Sequence, residues 1–145
     1  MNAKRTIMKA GFSLVELAVV VVIIGVLAAF AVPRFRASVE RSKAAEAFNY
    51  LAAVQAAQER YHARQSTYAE DIDDLDIKLT TPKYFSVGTI GAGSTGDLED
   101  SWTLSLTRSG ASAGYGEYTV TFNEEGFDED NSTIADSPDI NPMQT

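Results

Sequence analysis

The chain contains no cysteine, and that absence narrows its chemistry at once. No disulfide can staple the fold, no thiolate can serve as a nucleophile, and no Cys-based zinc site can form. A single histidine, His62, leaves no pair of imidazoles for a metal. A Ser–His–Asp arrangement would rest on that one residue, and no serine sits in a nucleophile-elbow motif. It reads as a surface residue at the polar end of a helix, and no enzymatic function is expected. Cations are scarce too: 12 Lys and Arg stand against 20 Asp and Glu, a formal net charge of −8. An acidic body disfavours phosphate backbones, so direct nucleic-acid binding is not expected.

Two further absences are local. Residues 12–32 hold no charge except Glu16, and residues 34–65 hold neither Gly nor Pro. As a helix the first stretch would measure roughly 31 Å, enough to cross a bilayer core. A carboxylate at the centre of such a span costs roughly 2.5–3.5 kcal/mol, and less toward the ends, where Glu16 lies. It therefore needs a partner or a local role. Ser13-Leu-Val-Glu16 fits a capping box, in which the two side chains satisfy each other's backbone N–H groups. Lys4, Arg5 and Lys9 precede the span and favour an N-inside orientation, with the bulk of the chain across the membrane. An ordinary signal peptide is a second reading. Ala29-Phe-Ala31 fits an A-x-A cleavage site and would release an acidic secreted domain beginning at Val32. Against it, the run exceeds the usual apolar region of about 7–15 residues and carries a charge.

From residue 34 to 65 the chain favours an uninterrupted helix. Ala44, Phe48, Leu51, Val54, Gln58 and Tyr61 recur at helical spacing as one largely apolar stripe. Arg36, Glu40 and Lys43 are placed on another side, as surface charges spaced for pairing. A second capping box, Thr67 to Glu70, with Tyr68, Ile72, Leu75 and Leu79, predicts a short helix ending near Pro82. The period then changes to two, predicting strands over 84–90, 102–108 and 117–123. Eight of the ten glycines fall between residues 88 and 126 and mark turns. The stretch from Asp128 reads as loop or partly disordered tail. The expected class is α+β: a long N-terminal helix, membrane half 12–33 and amphipathic half 34–65, with a connection at 66–83. The helix packs against a small antiparallel sheet within 84–127, and an acidic segment, 128–145, follows.

Gly91-Ala-Gly-Ser-Thr-Gly96 matches G-x-G-x-x-G, but no βαβ unit surrounds it, and Asp97, Glu99 and Asp100 would repel a pyrophosphate. A loop between strands is the better reading. Clustered acids (Asp71, Asp73, Asp74 and Asp76; Asp128, Asp130 and Asp136) have the hard oxygens that Ca²⁺ takes. A calcium loop starting at Asp128 would need Gly where Thr133 stands and Glu where Asp139 stands. Solvated surface is the preferred reading, with no cofactor expected and calcium at Asp128, Asp130 and Asp136 a weak alternative. Asn131-Ser-Thr133 fits the short N-glycosylation pattern, on which nothing is built.

Gly11-Phe-Ser-Leu-Val-Glu16, followed by Leu17-Ala-Val-Val-Val-Val-Ile-Ile-Gly25 and the run to Pro33, resembles the N-terminus of a type IV pilin of the type IVa style. The likeness covers about residues 8–60. It implies that a membrane-embedded prepilin peptidase removes residues 1–11 by cutting after Gly11, then methylates Phe12. Losing the three leader cations takes the formal charge from −8 to −11. It also implies that Glu16 pairs with the Phe12 ammonium of a neighbouring subunit, and that Gly25 and Pro33 are places where the helix loosens or kinks. The implied role is a homopolymeric filament subunit, held in inner-membrane lipid with its N-terminus cytoplasmic. Assembly machinery in that membrane would then extract it into an extracellular pilus. A type II secretion pseudopilin, in a periplasmic filament, and a minor pilin share the same motif. Many members close a C-terminal loop with a disulfide, and this chain departs from that pattern.

Overall fold

The computed structural model describes residues 11–144, so the leader cations Lys4, Arg5 and Lys9 lie outside the described residues. The chain divides into two compact units, residues 1–35 and 36–145. Helix α1, Leu14–Gln65, contributes to both. In the first unit every described residue from Gly11 to Phe35 is exposed. The apolar window of α1 has a mean hydropathy of 2.9, long and apolar enough for a membrane span.

In the second unit, α1 buries Glu40, Ala44, Ala47, Phe48, Leu51, Val54, Ala57 and Gln58, spaced three and four apart so that they share one face. That face packs on an antiparallel sheet whose inward residues join the same core. The strands are β1 (Phe85–Val87), β2 (Gly91–Ala92), β3 (Trp102–Arg108), β4 (Thr119–Asn123) and β5 (Gly126–Phe127). The order is β1-β3-β4-β5, and β2 pairs with β3 beyond the end of β1. Strict alternation holds along β3: Trp102, Leu104, Leu106 and Arg108 are buried, and Thr103, Ser105 and Thr107 are partly exposed. Phe48 meets Phe122 edge-on at 5.9 Å between centroids, a favoured aromatic geometry. Gly88 is required by close approach, because a Cβ there would lie 2.7 Å from the Ser105 carbonyl oxygen.

The structure corrects the reading at three places. The helix expected at 67–80 is a single 3₁₀ turn, Ile72–Asp74, capped by Asp71 rather than Thr67. The backbone of Tyr68 and Ala69 is already engaged elsewhere. The Tyr68 N–H donates to the Leu98 carbonyl at 2.8 Å. Buried Gln58 bonds the Ala69 N–H and carbonyl at 2.8 and 3.0 Å. The outer predicted strands shorten to 85–87 and 119–123, and the G-x-G-x-x-G stretch supplies the short β2 before its turn. The acidic C-terminal segment is packed rather than tail-like: a 3₁₀ turn at Thr133–Asp136 follows β5, and Ile134 and Ile140 are wholly buried.

Candidate functional site

At the start of α1 the capping box forms. The Ser13 N–H donates to Glu16 Oε2 at 2.9 Å, and the Ser13 hydroxyl accepts from the Val15 N–H at 3.3 Å. The first helical bond runs from the Leu17 N–H to the Ser13 carbonyl at 3.1 Å. Glu16 is thereby held one turn from Phe12 by its own backbone, while Phe12 is 78% exposed. Gly11, Phe12 and Glu16 are thus close together at the mouth of an apolar helix. Gly25 and Pro33 both lie within α1.

Asp128, Asp130 and Asp136 are not brought together as one ligand set. Asp130 and Asp136 are exposed, and the Asp128 carboxylate is already engaged. Asp128 Oδ1 accepts from the Asn131 N–H at 3.1 Å, and Oδ2 from Asn131 Nδ2 at 2.8 Å and Asn123 Nδ2 at 3.3 Å. His62 is half-buried rather than free on the surface. Its ring stacks on Tyr68 at 4.4 Å, and Nε2 lies 3.0 Å from the Glu99 carbonyl oxygen.

Glu40, expected among surface charges, is wholly buried, and this is the largest correction. Glu40 Oε1 accepts from Arg108 Nε at 2.5 Å and from the Tyr118 hydroxyl at 3.0 Å. Oε2 accepts from Arg108 Nη2 and Lys43 Nζ, at 3.3 and 3.4 Å. Arg108 also donates to the carbonyls of Tyr84, Ser109 and Ala111, so its planar fork is filled. Burial pushes the Glu40 carboxyl up, but the bonds from Arg108 and Tyr118 outweigh it and hold it below its ordinary value. Burial, reinforced by Glu40, pushes the Tyr118 phenol well above its ordinary value. The signal was present in the sequence. Glu40 is in phase with Ala44 and Phe48, Arg108 with Leu104 and Leu106, and Tyr118 with Val120 and Phe122. The network ties the helix to β3 and to the residue just before β4.

A second anchor holds the C-terminal segment. Arg41 donates to the carbonyls of Gln144 at 2.7 Å and Pro142 at 3.4 Å. Gln144 in turn donates to Glu129 at 2.8 Å. Hydrogen bonds and buried aliphatics thus order a region for which no disulfide is possible.

An apolar helix opening on a motif of this kind, joined to a helix-on-sheet head, defines the pilin class. Comparison with known proteins agrees. Residues 8–32 match the prokaryotic N-terminal methylation motif, and residues 33–132 match the family described as type IV minor pilin ComP, DNA uptake sequence receptor. The chain is 32% identical over 133 residues to the fimbrial protein EcpC of Eikenella corrodens, covering 88% of this chain and 84% of that one. It is 40% identical over 65 residues to the type IV major pilin PilA of Myxococcus xanthus, covering 45% of this chain and 30% of that protein. It is 33% identical over 79 residues to the type II secretion system core protein G of Vibrio cholerae, covering 54% of each. No solved structure is significantly similar. The chain belongs to the type IV pilin family. Its head is a ComP-like minor pilin domain.

Proposed function

We propose that this chain is a structural subunit of a type IV pilus-like filament, cut after Gly11 by a prepilin peptidase and polymerised through its N-terminal helix. One observation carries the reading: an apolar helix, exposed at every described residue of the first unit, opens on a carboxylate that takes a single side-chain hydrogen bond among the described residues. Apolar surface of that extent needs lipid or other helices around it, and a filament core exchanges one for the other. The Phe12 ammonium created by cleavage is the partner for Glu16 of a neighbouring subunit, and their pairing sets register between neighbours. Inner-membrane lipid holds the monomer, and the assembly machinery delivers it to a pilus or a periplasmic filament.

The test is direct. Mass spectrometry of the mature chain should begin at methylated Phe12, and a start at Val32 would sink the proposal. Glu16→Ala should leave membrane insertion intact and reduce filament yield at least tenfold, whereas wild-type yield would remove the register role.

The matched family's description favours a second, narrower reading, a minor pilin that captures DNA. Charge weighs against a strong interaction. Arg108, Arg60, Arg64 and Lys43 are engaged in ion pairs, and Arg41 holds backbone carbonyls. A protein neutralising several phosphates shows a log K that falls steeply with log salt. Duplex binding by the detergent-solubilised chain, measured at two ionic strengths, separates the readings. A steep salt slope with at least tenfold sequence preference supports DNA capture, and absence of binding leaves the filament role alone.

A further inference from the structure

A polar cleft of about 430 Å³ opens on the face of the sheet opposite α1. That size falls within the range of small-ligand sites, roughly 300–1,000 Å³, but its lining is unlike the usual apolar one. The floor is made by residues alternate to the core set: Thr103 and Ser105 of β3, Thr121 and Asn123 of β4. Thr103 lies opposite Asn123 and Ser105 opposite Thr121, so the floor is two matched rungs. Asp128 and Asn131 form one wall, and Gly93 and Ser94, after β2, form the other. From β2 across β3 to β4 is two inter-strand spacings, about 9–10 Å, the width of one sugar ring with its hydroxyls.

The chemistry of the lining selects the ligand. Neither Lys nor Arg lines the cleft, and its one charge is the Asp128 carboxylate, so a phosphate or carboxylate ligand would be repelled. Large apolar side chains are also missing from the lining, so an apolar ligand gains little. A cation is disfavoured for another reason. A metal needs several charged or strongly polar oxygens at once, whereas the lining offers one carboxylate with a single lone pair left after its bonds from Asn131 and Asn123. The Ser105 and Thr121 hydroxyls are bonded to each other at 2.7 Å, so what remains is a rigid acceptor beside the Thr103 hydroxyl and the Asn123 amide, groups that both donate and accept and so match a neutral polyol. We propose that this cleft binds a neutral pyranose sugar, with the remaining lone pair of Asp128 accepting from one ring hydroxyl and Thr103 and Asn123 completing the contacts. With no aromatic ring to stack on, binding rests on hydrogen bonds in exchange with water, which sets a dissociation constant on the order of 1 mM. The proposal is independent of assembly into a filament.

The full chain, ¹⁵N-labelled in detergent micelles, should be titrated with the methyl glycosides of glucose, galactose and mannose. Calcium chloride and a thymidine oligonucleotide serve as the competing ligands. The expected result is saturable movement of the amides of Thr103, Ser105, Asn123 and Asn131 with at least one glycoside. Thr103→Val keeps the β-branched shape and should weaken that binding roughly fivefold, the loss of one hydrogen bond. Asp128→Asn should abolish it. A tighter neutral trisaccharide would identify the end of a longer glycan as the source, and an equal one a free sugar. Silence with every sugar, shifts unchanged by Thr103→Val, or shifts produced only by calcium or the oligonucleotide would each overturn the assignment.

Discussion

Glu40 shows how one side chain decides the character of the head. A buried carboxylate is tolerable only when its lone pairs are filled, and here Arg108, Tyr118 and Lys43 fill them. Removing one partner should be costly because the other charge stays buried. Arg108→Ala is expected to destabilise the head by about 3–5 kcal/mol. Tyr118→Phe, which removes a single bond to a charged group, should cost about 1.5–3 kcal/mol. Urea unfolding followed by Trp102 fluorescence measures both. The pH dependence follows in sign. Glu40 titrates below its ordinary 4.5 when folded, so its contribution is present above that pH and is lost as pH falls through the depressed value. Tyr118 titrates above its ordinary 10.0, so its contribution is present below that pH and is lost as pH rises beyond it. A stability plateau should therefore span the range between, and Tyr118→Phe should reduce the alkaline shoulder and also shrink the acid limb, because it removes one of the bonds that depress Glu40. This network was legible only in phase, not in residue type. A charge rule sends Glu40 to the surface, whereas the three-and-four spacing with Ala44 and Phe48 sends it inward.

At the scale of elements, small residues set how closely the helix approaches the sheet. Ala44, Ala47 and Ala57 are fully buried on α1, beneath Trp102, Leu104 and Leu106 in the same core. Ala47→Leu should overpack this contact and cost about 1–3 kcal/mol, read as a lowered thermal midpoint. The C-terminal segment is a true structural element despite its acidic composition. Ile134→Ala should cost about 2–5 kcal/mol. Arg41→Ala should open the amides of Met143 and Gln144 to faster exchange without moving the midpoint as far. Strand β3 was readable to the residue because its alternation runs unbroken through seven positions. The two-residue strands β2 and β5 and the lost helix at 67–80 were not. The two strands are too short to show a period, and the segment at 67–80 is held by Leu98 and Gln58, which lie outside it.

At the scale of the whole molecule, the division at Arg36 separates a part that needs a partner from a part that carries its own core. Residues 36–145 expressed alone should fold and stay soluble, with Tyr118→Phe changing stability as in the full chain. Circular dichroism melts of the two forms would check this, and a head that fails to unfold cooperatively would refute it. The apolar stretch and its Glu16 were plain from composition. The polar cleft was not, because residues from β3, β4 and the segment after β5 meet there only once the sheet exists.

The missing disulfide has one more consequence, which concerns mechanical load. A covalent bridge shields the loop it closes from tension, and this head has none. Pulled from its two ends, it should give way first at the carbonyls gripped by Arg41, then through the sheet. Every residue released then adds about 3.5 Å of contour. The chain would lengthen to its full extent under force and recover by ordinary refolding, a spring where a cross-linked head would be a stop.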